Sequence, residues 1–252
     1  MKARPGVLGL ALCCLAAATL SGQEGAPPPT LAAARAAYEQ RGEPAQAKAA
    51  VDLFTRAARE DATSYEARWE GAKASYFLGT FARSEAPDAE KLAIFDAGIT
   101  LAKEAVALRP KGVEGHFWLG VLYGVYGEAK GIFKSLALVP LVKGEMQTCL
   151  ELDPAVEGWG PDRTLGRVFF KLPWFKGGDN KKSIAHLEKS LAGAPTNALT
   201  RLYLAETLRA EGQKARAVEL LRGILAMTPD PRWVPEQGSI AAQAAKLLRK
   251  LE

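Results

Sequence analysis

The chain has 252 residues, of which 33 are Lys or Arg and 28 are Asp or Glu, so its formal net charge is only +5. This mild excess, together with the lack of any nucleic-acid-binding motif, argues against a nucleic-acid partner. Apolar residues make up 48% of the chain, which is enough for a folded core. With only two histidines and three cysteines, the chain has few residues that could form metal sites or disulfides.

The first 22 residues have the layout of a secretory signal peptide. A short basic start precedes an apolar run over residues 7–18, which is too short to span a membrane. With residues 1–22 as the signal, we predict an exported, periplasmic protein that has no transmembrane span once the signal is removed. The alternative is a lipoprotein signal with Cys13 or Cys14 acylated, which would anchor the protein in the cell envelope.

Residues 23–29 include three successive prolines and predict an extended linker. Beyond it, Ala and Leu recur at helical spacing and strand-like alternation is absent, so we predict a single α-helical domain over residues 30–252, with about 10 or 11 helices. The expected helices span residues 30–41, 45–60, 63–82, 88–108, 112–127, 128–152, 162–171, 179–193, 197–211, 214–227 and 236–251.

The stretch 114–127 carries the most informative pattern of the chain. Leu119 and Gly120 are followed by Tyr123 and Gly127, a spacing typical of the first helix of a tetratricopeptide repeat. The small residue lets a second helix approach closely, and the two large ones fill the space between the helices. The pattern predicts an all-α fold, an irregular tetratricopeptide-like helical repeat bundle.

Three helix pairs fit the repeat frame of roughly 34 residues, but two of them are too long. The last pair, from residue 198 to Pro229, needs no insertion. The middle pair has about ten extra residues within 130–143, and the first pair has about thirteen around 79–91. Because insertions are where repeat folds commonly add a site, we expect a specialised bundle in place of a regular open solenoid.

Two runs of sequence are distinctive in addition to the repeat spacing. Residues 165–179 read Leu-Gly-Arg-Val-Phe-Phe-Lys-Leu-Pro-Trp-Phe-Lys-Gly-Gly-Asp, and residues 197–207 read Asn-Ala-Leu-Thr-Arg-Leu-Tyr-Leu-Ala-Glu-Thr. With Phe-Asp-Ala-Gly at 95–98, they resemble exported bacterial tetratricopeptide proteins related to the T-component of TRAP (tripartite ATP-independent periplasmic) transporters, over roughly residues 45–230. The resemblance implies an accessory protein that associates with a periplasmic solute-binding protein and offers an apolar cleft. It implies no catalytic residues.

No acid, base and nucleophile occur at catalytic spacing, so we predict no enzymatic activity and no cofactor. His116 and His186 are isolated, and no cluster of His, Cys, Asp and Glu has the spacing of metal ligands, so no metal site is predicted. Cys149 is expected to be buried. The stretch 177–183 lacks the spacing of a phosphate-binding loop, and Asp179 is expected to cap the helix that follows.

The inner face of the first helices of each pair is the expected binding surface. The candidate groove residues are Phe77, Phe117, Val121, Leu202, Glu206 and Arg209. The apolar members suit an extended peptide or an apolar molecule, and Arg209 is available for a carboxylate. The alternative is that the irregular helices fold over this face and close it.

A second candidate site is the aromatic and basic loop that contains Phe170, Trp174, Phe175 and Lys176. Pro173 ends the helix that precedes it. Two interpretations remain open. The aromatic side chains either plug the end of the bundle or form a wall of an apolar ligand cleft with a basic rim.

Taken together, these patterns predict a non-catalytic binding or scaffold protein of the cell envelope. It would bind a partner protein, for which a periplasmic solute-binding protein is the candidate, or an apolar or carboxylated small molecule. Its role would be that of an accessory component of periplasmic solute transport. The alternative is a general tetratricopeptide interaction scaffold for envelope assembly whose groove binds peptide segments.

Overall fold

The structure is a computed structural model that describes Met1 and residues 29–252. The expected signal peptide and almost all of the expected linker lie outside the described residues and stay predictions. Within the described residues the chain forms eleven α-helices and no strand. The helices are α1 (Pro29–Glu39), α2 (Pro44–Glu60), α3 (Tyr65–Phe77), α4 (Asp88–Leu108), α5 (Val113–Lys130), α6 (Val139–Leu152), α7 (Val156–Lys171), α8 (Asn180–Gly193), α9 (Ala198–Ala210), α10 (Lys214–Ala226) and α11 (Val234–Arg249).

Several helices begin where short polar side chains satisfy free backbone N–H groups. The side chains of Ser64, Asp179 and Asn197 accept hydrogen bonds from the backbone of α3, α8 and α9. The cap expected at Asp179 is therefore confirmed. Gly212 adopts a φ of +74° in the turn between α9 and α10, a conformation that glycine adopts without strain.

The surplus residues of the two long helix pairs form ordered segments. In the first pair, α3 continues into a π-helical turn, Leu78–Ala82, before α4. In the middle pair, a 3₁₀ segment, Ile132–Leu138, separates α5 from α6. The single helix expected at 128–152 is therefore wrong, because Gly131 breaks α5 with a φ of +92° and Pro140 lies in the first turn of α6.

The helix expected to begin at residue 162 begins earlier, because α7 includes an irregular turn at its start. The other helices agree with their expected positions to within a few residues, as is usual for helix ends. The all-α, irregular helical repeat bundle is confirmed.

Neighbouring helices pack closely where glycine lies in the contact. A Cβ atom on Gly120 of α5 would lie 3.0 Å from the Cβ of Glu145 and 3.6 Å from the carbonyl oxygen of Val142, both on α6. These distances confirm the close approach expected from the Leu-Gly pattern. The buried apolar side chains form two main clusters, one within α1–α7 and the other centred on α8–α11.

The C-terminal helix returns to the N-terminal helix pair. The guanidinium of Arg41, in the turn between α1 and α2, donates to both carboxylate oxygens of Glu236 on α11, each at 3.2 Å. It also donates to the backbone carbonyl of Arg232 at 2.6 Å, and both charged side chains are buried. This contact joins the two ends of the described helical array, and residues of α11 line the same face of the array as residues of α1, α3 and α5.

In the part of the chain that the structure describes, no helix combines the length and apolar character that a bilayer crossing requires.

We expect Gly120→Val to destabilise the protein by about 1–3 kcal/mol, because the added methyl groups would force α5 away from α6. Gly144 on α6 provides the matched control, since nothing lies within 4 Å of a Cβ added there. Gly144→Val should change the free energy of unfolding by less than about 0.5 kcal/mol. Urea denaturation of both variants measures the difference. Equal effects would contradict the close approach at Gly120.

Candidate functional site

The face that α11 shares with α1, α3 and α5 contains a cavity of about 140 Å³ that remains partly open to solvent. Side chains from α1, α3, α5, α6, α7, α9 and α11 line it. Its wall is largely apolar and includes Tyr38, Tyr76, Phe117, Trp118, Val121 and Trp233. Since an apolar cavity of about 150 Å³ holds benzene, this one accepts a group about the size of an aromatic ring or a short acyl chain.

The inserted segments contribute to this wall. Phe81 from the π-helical turn and Leu138 from the 3₁₀ segment both line the cavity. A regular repeat would have no residue at either place. The segments that interrupt the repeats therefore contribute to the wall of this cavity.

A left-handed turn at the start of α7 positions the main polar groups of the cavity. The φ angles of Glu157, Gly158 and Trp159 are 50°, 66° and 57°. This conformation costs about 1–2 kcal/mol for a residue with a side chain, so other contacts have to hold it. The guanidinium of Arg163 donates to the carbonyls of Gly158 and Glu157 at 3.0 and 3.1 Å. The Trp159 ring fills the space beside Gly193, where a Cβ would overlap the indole.

The guanidinium of Arg163 lines the cavity without a carboxylate partner. The residue is only 8% exposed, and no carboxylate of the described residues lies within 4.0 Å of its nitrogens. Burial lowers its pKa below the ordinary value, but arginine remains charged at neutral pH. Two of its five N–H groups are used by backbone carbonyls, so others remain for a ligand.

The second arginine of the wall, Arg167, is neutralised by the protein itself. It forms ion pairs with Glu206 on α9 and with Glu128 on α5, and its guanidinium lies 4.2 Å from the centre of the Tyr203 ring. Burial opposes its charge, but Tyr203, Glu128 and Glu206 together raise its pKa above the ordinary value. Arg167 therefore connects three helices, whereas Arg163 retains an unpaired positive charge.

A second unpaired polar group lies in the same wall. The indole Nε1–H of Trp118 is buried and finds no hydrogen-bond acceptor among the described residues. A buried donor without a partner costs about 1–3 kcal/mol. The ring of Tyr76 lies 5.4 Å from that of Trp118, and burial raises the pKa of Tyr76 far above the ordinary value, so its hydroxyl remains a neutral donor.

Lys73 on α3 is held within the aromatic wall. Its ammonium forms an ion pair with Glu157 at 2.9 Å and lies 5.6–5.8 Å from the ring centres of Tyr38, Trp118 and Trp233. The side chain thereby joins α1, α5, the left-handed turn and the segment before α11. Because Glu157 neutralises it, Lys73 is less available to a ligand than Arg163.

Three of the six candidate groove residues lie at or beside the cavity. Phe117 and Val121 are part of its wall. Glu206 lies at its border, where its carboxylate binds Arg167 and is not free for a ligand. The cavity therefore takes in the apolar α5 part of the expected groove.

The other three candidates lie elsewhere. Phe77 and Leu202 are buried in core clusters and do not line the cavity. Arg209 is exposed near the end of α9 and does not line it either. Its assignment as the carboxylate-binding group stays a prediction without geometric support, because Arg209 is not among the residues that line the cavity, whereas Arg163 is.

The aromatic and basic loop does not plug the bundle. Trp174 is 84% exposed and Phe175 is 57% exposed, in a short 3₁₀ segment (Trp174–Lys176) that also contains the exposed Lys176. The plug interpretation is therefore wrong, because neither ring packs into the core. Phe170 is half-buried and does not line the main cavity.

The two histidines have carboxylate partners, and Cys149 is buried. His116 Nδ1 lies 2.6 Å from Glu145, and His186 Nδ1 lies 2.8 Å from Asp162. Cys149 is buried, as expected, and burial raises the pKa of its thiol to about 12. Within Met1 and residues 29–252, no group of three His, Cys, Asp or Glu side chains could hold a metal ion.

Sequence reasoning missed the polar groups that the structure brings to the cavity. Arg163, Trp118 and Glu236 are far apart in the sequence and match no motif. Residues 158–161, Gly-Trp-Gly-Pro, gave a partial indication of the turn, because such a cluster of glycines and proline indicates an unusual backbone conformation. Nothing in the sequence showed that this turn faces the inside of the bundle.

Two family models match the sequence. The model described as regulator of microtubule dynamics protein 1-3 matches residues 30–157, which is half of the chain. The chain belongs to this family. A tetratricopeptide repeat model matches residues 175–234. The family match covers most of the core cluster of α1–α7, and the repeat match falls within the part that contains the second cluster. Neither match indicates an enzyme.

The chain is similar to several solved structures. The tetratricopeptide protein TTC0263 from Thermus thermophilus is 18% identical with a TM-score of 0.64, over 87% of this chain and 99% of its own. YrrB, described as a TPR protein with an unusual peptide-binding site, is 15% identical with a TM-score of 0.43, over 79% and 86%. The MamA protein is 13% identical with a TM-score of 0.45, over 86% and 94%. No curated protein sequence matches the chain.

The likeness to TTC0263, at 18% identity, shows the fold alone. The chain is a tetratricopeptide-repeat protein. The resemblance to the transporter T-component is not shown by these matches.

Asp162, beside Arg163, generates a prediction of pH dependence. Its carboxylate is fully buried and lies 2.8 Å from His186 Nδ1 and 3.0 Å from Lys189 Nζ. Burial opposes its charge, but these two partners outweigh that effect and lower its pKa below the ordinary value of 3.8. The unfolded chain therefore takes up this proton first as the pH falls. The stabilisation is complete above the ordinary pKa and is lost as the pH falls through the lower pKa of the folded protein.

We expect Asp162→Asn to lower the free energy of unfolding at pH 7 by about 3 kcal/mol. The difference from wild type should shrink as the pH falls below about 4. Urea denaturation across this range measures it, with the exposed Asp96→Asn as control. A difference that does not vary with pH would contradict the proposed charge interaction.

Proposed function

We propose that this tetratricopeptide scaffold binds a carboxylic acid whose remaining part is apolar, in the cavity that α11 helps to line. The observation that carries the proposal is the buried guanidinium of Arg163, which lines the cavity without a carboxylate partner among the described residues. A buried charge needs an opposite charge or several hydrogen bonds, and backbone carbonyls supply only part of this.

The planar guanidinium of arginine has the geometry to bind a carboxylate in a bidentate manner. A guanidinium binds a carboxylate through two parallel hydrogen bonds, and such charge-assisted bonds are stronger than neutral ones. The unpaired Nε1–H of Trp118 and the phenol of Tyr76 are further donors in the same wall. The ligand would thus satisfy groups that the protein leaves unsatisfied.

The apolar part of the ligand follows from the size and lining of the cavity. Phe117, Val121 and Trp233 offer apolar surface, and the volume suits about six carbon atoms, while the side that is open to solvent leaves room for the end of a longer chain. This composition, mostly apolar with a few polar groups that fix orientation, is common in small-molecule sites. The ligand class is therefore a medium-chain or aromatic carboxylic acid.

A protein partner remains part of the proposal for the scaffold. Because α11 forms part of the cavity wall, a partner would bind the outer surface unless α11 moves. Export, the periplasmic location and an accessory role in solute transport stay predictions from the sequence, and neither family match supports the transport role. The microtubule role in the family's printed name belongs to the named proteins, and the proposal for this chain rests on the cavity.

The test uses octanoate as the acid and methyl octanoate and octanol as matched uncharged ligands. We expect isothermal titration calorimetry to detect octanoate binding to the wild-type protein and much weaker binding of the ester and the alcohol, because these cannot pair with Arg163. Arg163→Met should weaken octanoate binding at least about thirtyfold. The exposed Arg209→Met is the matched control and should bind as wild type does.

Arg163 also holds the left-handed turn, so its substitution could disturb the fold. The comparison of ligands on the wild-type protein is free of that difficulty. Equal affinity for octanoate and its methyl ester, or no binding of any of the three, would refute the proposal.

A further inference from the structure

Two aromatic rings project from the turn between α7 and α8. Trp174 and Phe175 are 84% and 57% exposed, and their ring centres are 5.7 Å apart in an edge-to-face arrangement. The turn itself is ordered. The backbone N–H of Gly178 donates to the carbonyl of Pro173 at 3.0 Å, and a Cβ on Gly178 would overlap the carbonyl oxygen of Leu172. The backbone therefore holds both rings outside the bundle.

A third exposed aromatic ring belongs to the same end of the bundle. Phe133 is 69% exposed, in the 3₁₀ segment that follows α5. Near the ends of α5 and α7, the carboxylate of Glu128 lies 3.5 Å from the ammonium of Lys171. Phe133 and Trp174 follow these two residues by five and three positions, so both segments leave the bundle beside one ion pair. We call this end, residues 130–134 with 171–182, the aromatic–basic edge.

The charge of the aromatic–basic edge is positive. Asp179 is its one acidic residue, and it is engaged in capping α8 and in an ion pair with Lys182. The acidic neighbours Glu128 and Glu211 are also engaged, with Lys171 and with Asn180. The lysines of the edge are Lys130, Lys134, Lys171, Lys176, Lys181 and Lys182.

We propose that the aromatic–basic edge docks on an anionic membrane surface. Aromatic side chains with polar surroundings favour the boundary between headgroups and acyl chains, and lysines are attracted to anionic lipids. Insertion of apolar side chains and attraction to anionic lipids add, so a surface with both features binds more strongly than a surface with either one alone. The edge supplies both within one short stretch of surface.

The composition favours a membrane over an acidic protein as the partner. Lysine is depleted in protein–protein interfaces, where the charged groups must be desolvated. On a membrane, the ammonium groups remain hydrated beside the lipid phosphates while the rings enter the interface. Trp174 is strongly exposed, so its ring can insert into the fluid interface of a membrane. This inference does not depend on the proposed ligand of the inner cavity.

The test is co-sedimentation of the full chain with vesicles of phosphatidylcholine alone or with about 30 mol % phosphatidylglycerol. We expect binding to the anionic vesicles only, and weaker binding when the salt is raised from about 0.1 M to about 0.5 M. The double variant Trp174→Ser/Phe175→Ser should lower the partition coefficient about tenfold or more. Lys176→Glu/Lys181→Glu should weaken it to a similar degree. Both pairs are at the surface, so thermal unfolding should be unchanged.

The matched control is Leu108→Ser/Leu225→Ser, which removes two exposed apolar side chains outside the edge. It should bind anionic vesicles as the wild-type protein does. The proposal is overturned if anionic vesicles bind no more protein than neutral ones, the result expected if the edge serves an acidic protein instead. It is also overturned if the Trp174→Ser/Phe175→Ser variant binds as wild type does, since the attraction would then be diffuse charge alone.

Discussion

The cavity of this protein depends on one buried ion pair, between Arg41 and Glu236. These residues belong to opposite ends of the described helical array, and each would be costly to bury alone. Burial raises the pKa of Glu236, and Arg41 opposes that effect by favouring the charged carboxylate. The pair holds α11 beside the N-terminal helices, where residues of α11 form part of the cavity wall. The cavity that results is partly open to solvent.

The polar chemistry inside that cavity comes from a strained element. The left-handed turn at 157–159 aims two carbonyls at Arg163 and the Glu157 carboxylate at Lys73. The contacts offset the conformational cost of the turn. They also explain why two neighbouring cations differ. Lys73 forms an ion pair with the Glu157 carboxylate. Arg163 donates to backbone carbonyls only, so its positive charge is available to bind a ligand.

The interruptions of the repeat account for both proposed activities. The π-helical turn and the 3₁₀ segment bring Phe81 and Leu138 to the cavity wall, while the latter segment also exposes Phe133. The turn after α7 starts at Leu172, which lines the cavity, and ends with the exposed rings of the aromatic–basic edge. Ligand binding and membrane docking would therefore use opposite sides of the same inserted segments.

The sequence by itself determined most of the helices, because helical periodicity, prolines and capping residues act within a few positions along the chain. It also determined the close contact at Gly120, where a small residue has one common use in a repeat. Only the tertiary structure decided that α11 lines the cavity, that Arg209 lies outside it and that Trp174 is exposed. These outcomes depend on contacts between segments that are up to nearly two hundred residues apart in the sequence. No local sequence pattern predicts that Arg41 pairs with Glu236. Nor does any local pattern predict that Arg163 has no carboxylate partner among the described residues.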